Sequence, residues 1–522
     1  MLSIFPNEDN IPRDMRQEIP VASKDYLRQG KIEHWRGPFR EVYSPLLVSG
    51  LGGLSQLRIG SVPSMDEEAS LALANEARNA FQSGEGQWPA MPAIARVERF
   101  REFLKRMDDM KPTIVRLLEW EIGKTYTDAL NEFERAQSFG YSCCEKISEN
   151  SAMKGEAISY NGISGRLDRT PRGVVLIMGP FNYPLFETMT ALAPAMLTGN
   201  TVVLRPPRLG CLIFQHIIKA MDVFPNGALT VIYGDGKRII PPLMASGFID
   251  VLYFIGTSPV ANYLEGLHPK PHRLKCILGL EAKNPAIILP DANLDLTVGE
   301  CVKGALTFNG QRCAALKILF VHRSLVHPFN DLFCEKVISL KSGMPWEKDV
   351  VITPLAENDR TEYLSGLVED AISLGATVIN RGGGESIGSF FSPAVLYPAS
   401  VPMRVCREEQ FGPVVPIVPY DDINEPLKYI RESNYGQQAS IFGKDTGKLR
   451  DLTRFIVHHV SRININCQSQ RSPDTIPFTG RKDSAQDSLS LSEAADAFTV
   501  PTFIATKSSD EYAGMLRDIL DD

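Results

Sequence analysis

Gly173-Val-Val-Leu-Ile-Met178-Gly-Pro-Phe-Asn182-Tyr183-Pro184 leads through an apolar segment of helical length to Gly199-Asn-Thr201-Val-Val-Leu204. A short β-rich run ends in a polar turn, a helical stretch follows, and a second β-rich run begins. The unit then repeats. Runs at Leu229–Tyr233, Val251–Ile255 and Leu274–Leu280 alternate with helical segments opening near Leu185, Leu209, Arg238 and Ser258. Strands joined by crossover helices predict an α/β fold with a doubly wound parallel sheet. Ligands on such sheets sit beyond the carboxyl ends of the strands. The polar and glycine-rich residues fall there, at Gly179 to Tyr183, Arg205 to Arg208, Gly234 to Gly236 and Gly256 to Ser258.

Upstream, Gly155 to Asp168 alternates as a hairpin does, with its turn near Asn161-Gly162. Helical patterning fills Pro92 to Glu149 and breaks near Pro112. Ser64 followed by Glu67 reads as a capping box that opens a helix through about Ser83. Residues 1–60, with scattered Pro and Gly, read as an irregular arm wrapping the body. Downstream, a second α/β set runs from Asn284 to about Asp483. Arg381-Gly-Gly-Gly-Glu385 within it is a surface loop and not a phosphate loop, because no Lys-Ser/Thr follows. A late β-rich run, Phe498 to Ile504, precedes an acidic tail of short helical character.

The chain has 522 residues, 43% hydrophobic and 22% charged, the proportions of a soluble globular protein with two or three domains. A net charge of −7 gives no basic field for nucleic acid or anionic lipid. No apolar run reaches the ~18 residues of a membrane span. The start lacks the basic region and long apolar core of a secretory leader. Nine cysteines without a C-x-x-C make neither a disulfide framework nor a zinc pattern, so a reducing, cytoplasmic setting is expected.

One of the nine differs from the rest. Cys313 ends Phe308-Asn-Gly-Gln-Arg-Cys313, a polar turn between two apolar stretches. A thiol meant to react needs its pKa brought down from about 8.5 by a neighbouring guanidinium or converging N–H groups, and Arg312 stands beside it. Taken alone, a free cysteine is more often a small packing residue.

In this order, Gly179-Pro-Phe-Asn-Tyr-Pro184, Ala193-Pro-Ala with Gly199-Asn-Thr-Val-Val203, Phe308-Asn-Gly-Gln-Arg-Cys313 and Glu408-Glu-Gln-Phe-Gly-Pro413 resemble the aldehyde dehydrogenase superfamily over roughly residues 60 to 507. The resemblance implies a Rossmann-type cofactor domain (61–152 and 170–283), an α/β catalytic domain (284–495) and a small β oligomerisation element (153–169 and 496–522), after an arm at 1–60. Asn182-Tyr183, Gln311-Arg312-Cys313 and Gln470-Arg-Ser-Pro-Asp-Thr-Ile-Pro-Phe-Thr-Gly480 look most like the non-phosphorylating, NADP-dependent glyceraldehyde-3-phosphate dehydrogenases.

The likeness implies that Cys313 attacks an aldehyde, giving a thiohemiacetal and, after hydride loss, a thioester for water to cleave. The Asn182 amide and the Cys313 N–H would form the oxyanion hole. Arg135, Arg312 and Arg471, with Tyr183, occupy the positions that surround the substrate phosphate, expected to be that of glyceraldehyde 3-phosphate. Three forked, permanently charged donors suit such a dianion. For the cofactor, Gly256 and Ser258 open the phosphate-binding helix, Arg205 stands at the adenosine ribose, and Glu409 and Phe411 stand at the nicotinamide end. Arg208 replaces an acid common in NAD-preferring members, which favours NADP over NAD. The hairpin and the late β-run imply a homodimer or homotetramer.

One position departs from the pattern. The family's general base is the Glu of Glu-Leu-Gly-Gly-Lys, and here the segment is Gly279-Leu-Glu281-Ala-Lys283. Glu281 lies two residues on, and on an extended segment i and i+2 share a face about 6.6 Å apart. Three readings stay open: Glu281 is a relocated base, another acceptor such as coenzyme A takes the acyl group, or the chain is a binding or sensing protein on this scaffold.

Overall fold

The computed structural model describes residues 4–520 apart from 18, 22, 150–152 and 489. The repeating unit builds a six-stranded sheet whose order is Ala485–Gln486, Lys275–Gly279, Val251–Ile255, Val174–Met178, Thr201–Leu204, Leu229–Val231. All are parallel except the short first strand, which pairs antiparallel. Val174–Met178 is buried along its whole length, as a central strand covered on both faces must be. From it the chain builds outward first to Thr201–Leu204 and then, on the other side, to Val251–Ile255. That reversal opens a crevice beyond Met178 and Ile255, where Gly179 and Gly256 lie.

The second set forms a seven-stranded sheet in the order Thr377–Val378, Ala394–Tyr397, Val414–Tyr420, Leu316–His322, Asn284–Ile288, Gln438–Phe442, Arg462–Ile465. Only Thr377–Val378 is antiparallel. Cys313 lies just before the amino end of Leu316–His322. The cavity between the sheets therefore receives carboxyl ends from the first and amino ends from the second.

Arg381 to Glu385 forms turns at the surface. Strands Lys154–Tyr160, Ile163–Pro171 and Thr499–Lys507 make a separate antiparallel sheet, with the first turn at Asn161 and Gly162, both at positive φ. Helix Asp510–Leu520 follows.

Two expectations need correction. Residues 1–60 are not an irregular arm. They carry a hairpin, Asp25–Arg28 with Lys31–His34, and most of a longer one, Phe39–Gly50 with Gly53–Pro63. Register shifts at Val42/Tyr43 and Tyr43/Leu47 break the alternation by which strands are recognised. Helix Glu67–Phe81 is capped by Asp66, whose side chain accepts from Ala69 N–H at 2.9 Å, and not by Ser64. The pattern at 92–149 resolves into Ala93–Asp108, Lys111–Ile122 and Tyr126–Ser148, with Pro112 in a first turn, where its missing N–H costs no bond.

Candidate active site

A cavity of ≈ 1030 Å³ lies between the sheets, and both Cys313 and Asn182 line it. Helix Leu294–Leu306 ends before the cysteine loop, and Phe308, Asn309 and Gly310 then take positive φ in succession. Two of these are not glycine, so the turn holds only because its surroundings fix it. Asn309 does so through reciprocal 3.0 Å bonds with Thr353. A Cβ on Gly310 would stand 2.7 Å from the Ala305 carbonyl oxygen, which keeps that position glycine. Asn284 Nδ2 donates to the Cys313 carbonyl at 2.7 Å and ties the loop to the second sheet.

Asn182 is buried. Its Nδ2 donates to the Gln311 carbonyl at 2.8 Å, and its own carbonyl accepts from Lys124 Nζ at 2.8 Å. Lys124 is fully enclosed, ion-paired with Glu132, and lies 3.5 Å from the centre of the Tyr183 ring. Glu132 in turn accepts from Leu185 and Phe186 N–H, capping the helix Pro184–Leu197. The side-chain amide that could face an oxyanion thus rests on Gln311, and Lys124 holds its backbone.

The cysteine's environment differs from expectation. Arg312 turns away, its Nη2 donating to the Gly304 carbonyl at 2.8 Å. Burial pushes the Cys313 thiol up to about 11, helped by the negative charges of Glu187 and then Glu409, while Gln437 and Arg471 oppose this. The thiol at rest is neutral.

Arg135, Arg312, Arg471 and Tyr183 all line the cavity. Two of the arginines already have carboxylate partners. Arg135 Nη2 meets Asp474 Oδ1 at 2.7 Å, and Arg471 is ion-paired with Glu187 and lies 3.8 Å from Asp474. Arg471 also stacks near Phe186 and Phe478. Glu187 and Asp474 were not anticipated from the sequence. The signal for Glu187 was available, because it is the single charge in the wholly buried helix Pro184–Leu197.

Glu281 lines the same cavity, but its Oε2 accepts from Ser258 N–H at 2.9 Å and from Ser258 Oγ at 2.6 Å. It caps the helix Ser258–Leu267, which has no side-chain cap of its own. The expected relocated base is therefore engaged with Ser258, because an N-terminal N–H is a strong attractor for a carboxylate.

The residues fit a nucleotide cofactor at its adenosine end. Arg205 Nε is buried without a hydrogen-bond partner, while its Nη2 reaches the Gly234 carbonyl at 3.3 Å. A Cβ on Gly236 would come within 3.0 Å of that guanidinium, so glycine keeps the cradle open. Arg208 is exposed beside it, and Arg40 of the long hairpin donates to the Arg208 carbonyl at 3.2 Å. Gly256 lines the crevice beyond Ile255. At the opposite end, Glu409 pairs with buried Lys317 at 3.0 Å and accepts from Ala282 N–H. Phe411 packs edge-on against Phe181 with ring centres 5.8 Å apart.

Beyond the reversal of the α/β sheet, one cavity joins Cys313, Asn182 and Arg205. The chain belongs to the aldehyde dehydrogenase family, which it matches over residues 54–504, and it is an NAD(P)-dependent aldehyde dehydrogenase. It is 29% identical over 449 residues to the NADP-dependent glyceraldehyde-3-phosphate dehydrogenase of Pisum sativum, covering 84% of this chain and 88% of that protein. The Streptococcus equinus protein of the same name is 31% identical over 458 residues, with 84% and 91% covered. Among solved structures, the NADP-dependent glyceraldehyde-3-phosphate dehydrogenase from Bacillus halodurans C-125 complexed with NADP superposes with a TM-score of 0.86 at 29% identity, covering 93% of this chain and 100% of that one. Lactaldehyde dehydrogenase from Escherichia coli, at 23% identity and a TM-score of 0.84, covering 93% and 99%, shares the fold. Among the described residues no helix is long and apolar enough to cross a membrane.

Proposed function

We propose that this enzyme oxidises a small phosphorylated aldehyde to its acid with NADP+, glyceraldehyde 3-phosphate being the first candidate. The observation that carries the reading is the convergence of Arg135, Arg312 and Arg471 on the cavity that also holds Cys313. A dianion entering there displaces Asp474 from the guanidinium forks, while Arg471 keeps its ion pair with Glu187. The names of the two curated relatives and of the Bacillus halodurans structure support the same substrate and cofactor.

In this reading Cys313 loses its proton to solvent in the cavity and forms the C–S bond to the aldehyde carbon. The oxyanion accepts from Asn182 Nδ2 and the Cys313 N–H, the amide pivoting from its resting bond to Gln311. Losing one such donor costs about 2.7–4 kcal/mol in the barrier. Bound NADP+ supplies the hydride acceptor. Arg205, Arg208 and Gly256 would hold its adenosine diphosphate part, the Ser258 N–H and hydroxyl being taken by Glu281, and Glu409 and Phe411 would flank its other end. We also read the three-stranded sheet as a surface for self-association.

The test compares glyceraldehyde 3-phosphate with glyceraldehyde by NADPH formation. A kcat/KM at least about a hundredfold higher for the phosphorylated substrate is expected from charge-assisted contacts of about 1.5–3 kcal/mol each. Equal or better use of glyceraldehyde would overturn the substrate. Arg471→Met should raise KM for the phosphorylated aldehyde far more than for glyceraldehyde.

A further inference from the structure

Gly279 leaves the usual place of the base without a carboxylate, and the structure sets several other acids on the cavity wall. Glu281 holds Ser258. Glu409 holds Lys317 and the Ala282 N–H. Glu408 pairs with Arg404 at 2.8 Å, and Glu357 with Arg360. Glu187 shares with Glu281, Glu409 and Glu357 one carboxylate oxygen that has no hydrogen-bond partner among the described residues, its Oε2 being bound by Arg471. What sets it apart is its place on a wholly buried helix braced by Tyr253 and Arg471. The group lines the cavity with Cys313, and its side chain is only 9% exposed.

Its position is fixed from three directions. The backbone comes from the first turn of the helix that Asn182 and Tyr183 lead into, capped by Glu132. Tyr253 Oη donates to the Glu187 carbonyl at 2.8 Å, so the strand Val251–Ile255 braces it. Arg471, packed between Phe186 and Phe478, anchors the carboxylate itself. An anchored carboxylate with one open oxygen in a cavity beside the nucleophile is what general-base catalysis requires. Of the charged groups acting on the Cys313 sulfur, Glu187 is the strongest.

We propose that Glu187, oriented by Arg471, is the base that activates the water cleaving the Cys313 thioester. The proposal rests on the Cys313 reading of the preceding section. Glu187 takes a proton from water as the water oxygen bonds to the thioester carbon. The tetrahedral intermediate collapses, the C–S pair returns to the sulfur, and the acid departs. The proton then leaves Glu187 for solvent through the cavity mouth, so water is the only further reactant.

The experiment mixes Glu187→Gln with NADP+ and glyceraldehyde 3-phosphate. NADPH is followed from the first turnover, and the intact protein is weighed after quenching. We expect a burst near one NADPH per site, then a steady rate at least about a hundredfold below wild type, within the usual range for a lost general base. The acyl mass should sit on Cys313, and hydroxylamine, needing no base, should restore turnover. Glu187→Asp should recover part of the steady rate, and NADPH binding verifies that both variants fold. An unchanged steady rate in Glu187→Gln overturns the proposal. An adduct that hydroxylamine fails to release is not a thioester and overturns the Cys313 reading on which the proposal rests. If Glu281→Gln and not Glu187→Gln stalls after the burst, the base is Glu281. Absence of any adduct in wild type and variant alike, with steady NADPH formation, overturns the thioester reading instead.

Discussion

The resting charge state of Cys313 follows from where its neighbours point. A guanidinium adjacent in sequence suggests a thiolate, but Arg312 turns its Nη2 to the Lys303 and Gly304 carbonyls. The sulfur is left half-buried near Glu187 and Glu409, and its pKa rises to about 11. A thiol in this state reacts only through its small ionised fraction. Alkylation of the cofactor-free protein by iodoacetamide should therefore climb about tenfold per pH unit above neutrality until it levels near the pKa. Removing a negative charge beside the sulfur lowers its pKa, so Glu187→Gln should alkylate faster than wild type at any pH below that level. Mass spectrometry of Cys313 against the other cysteines measures both. A fast rate independent of pH would mean that the sulfur is ionised at rest. The same residues show what a sequence conceals. Asn182, Cys313, Arg312 and Arg471 stand in runs that the sequence singles out, Arg135 was expected from the resemblance alone, and the structure brings all five to one cavity. Glu187 was not legible, because a lone acid in a largely apolar helix declares that it has a partner but not which one, and Arg471 is 284 positions away.

Elements were legible where periodicity was clean. The five parallel strands of the first sheet run uninterrupted, and their expected limits fall within two residues of those in the structure. Residues 25–63 were illegible because their bulges displace the alternation, and because Pro45 and the Gly50–Gly53 turn imitate a loop. Caps are the second lesson. Asp66 holds the Ala69 N–H, so Asp66→Ala should cost about 1 kcal/mol in thermal or denaturant unfolding, whereas Ser64→Ala should fall within about 0.5 kcal/mol of wild type. Glu281 caps a helix from outside it. Glu281→Ala leaves the Ser258 N–H and hydroxyl without their acceptor and should cost a similar amount, about 1 kcal/mol. Removing the carboxylate also lifts its repulsion from any anion at that helix start. Calorimetry with NADP+ should then show binding that is no weaker than wild type. A loss of affinity would instead make Glu281 a ligand of the cofactor.

At the scale of the whole molecule, the three-stranded sheet gathers five apolar side chains on one face. Phe503 pairs with Leu167, Tyr160 with Ile163 and Ile158 with Gly165, and side chains directly opposite in antiparallel strands share a face. Alternation therefore puts Ile158, Tyr160, Ile163, Leu167 and Phe503 together, and all five are exposed, Tyr160 at 74%. Gly165 lies at the centre of the patch, where an added Cβ would come within 2.6 Å of the Phe503 ring, so the ring folds across the glycine and flattens the surface. Contiguous exposed apolar groups of this kind mark an association surface, and a two-fold contact lets one patch meet its own copy. Phe503→Glu sets a charge at the middle of that contact, where burial without a partner is costly. Light scattering across a dilution series should give an assembly for wild type and a monomer for Phe503→Glu, with Cys313 reactivity preserved because the patch lies outside the cavity. An assembly of unchanged mass in Phe503→Glu would remove this sheet as the contact.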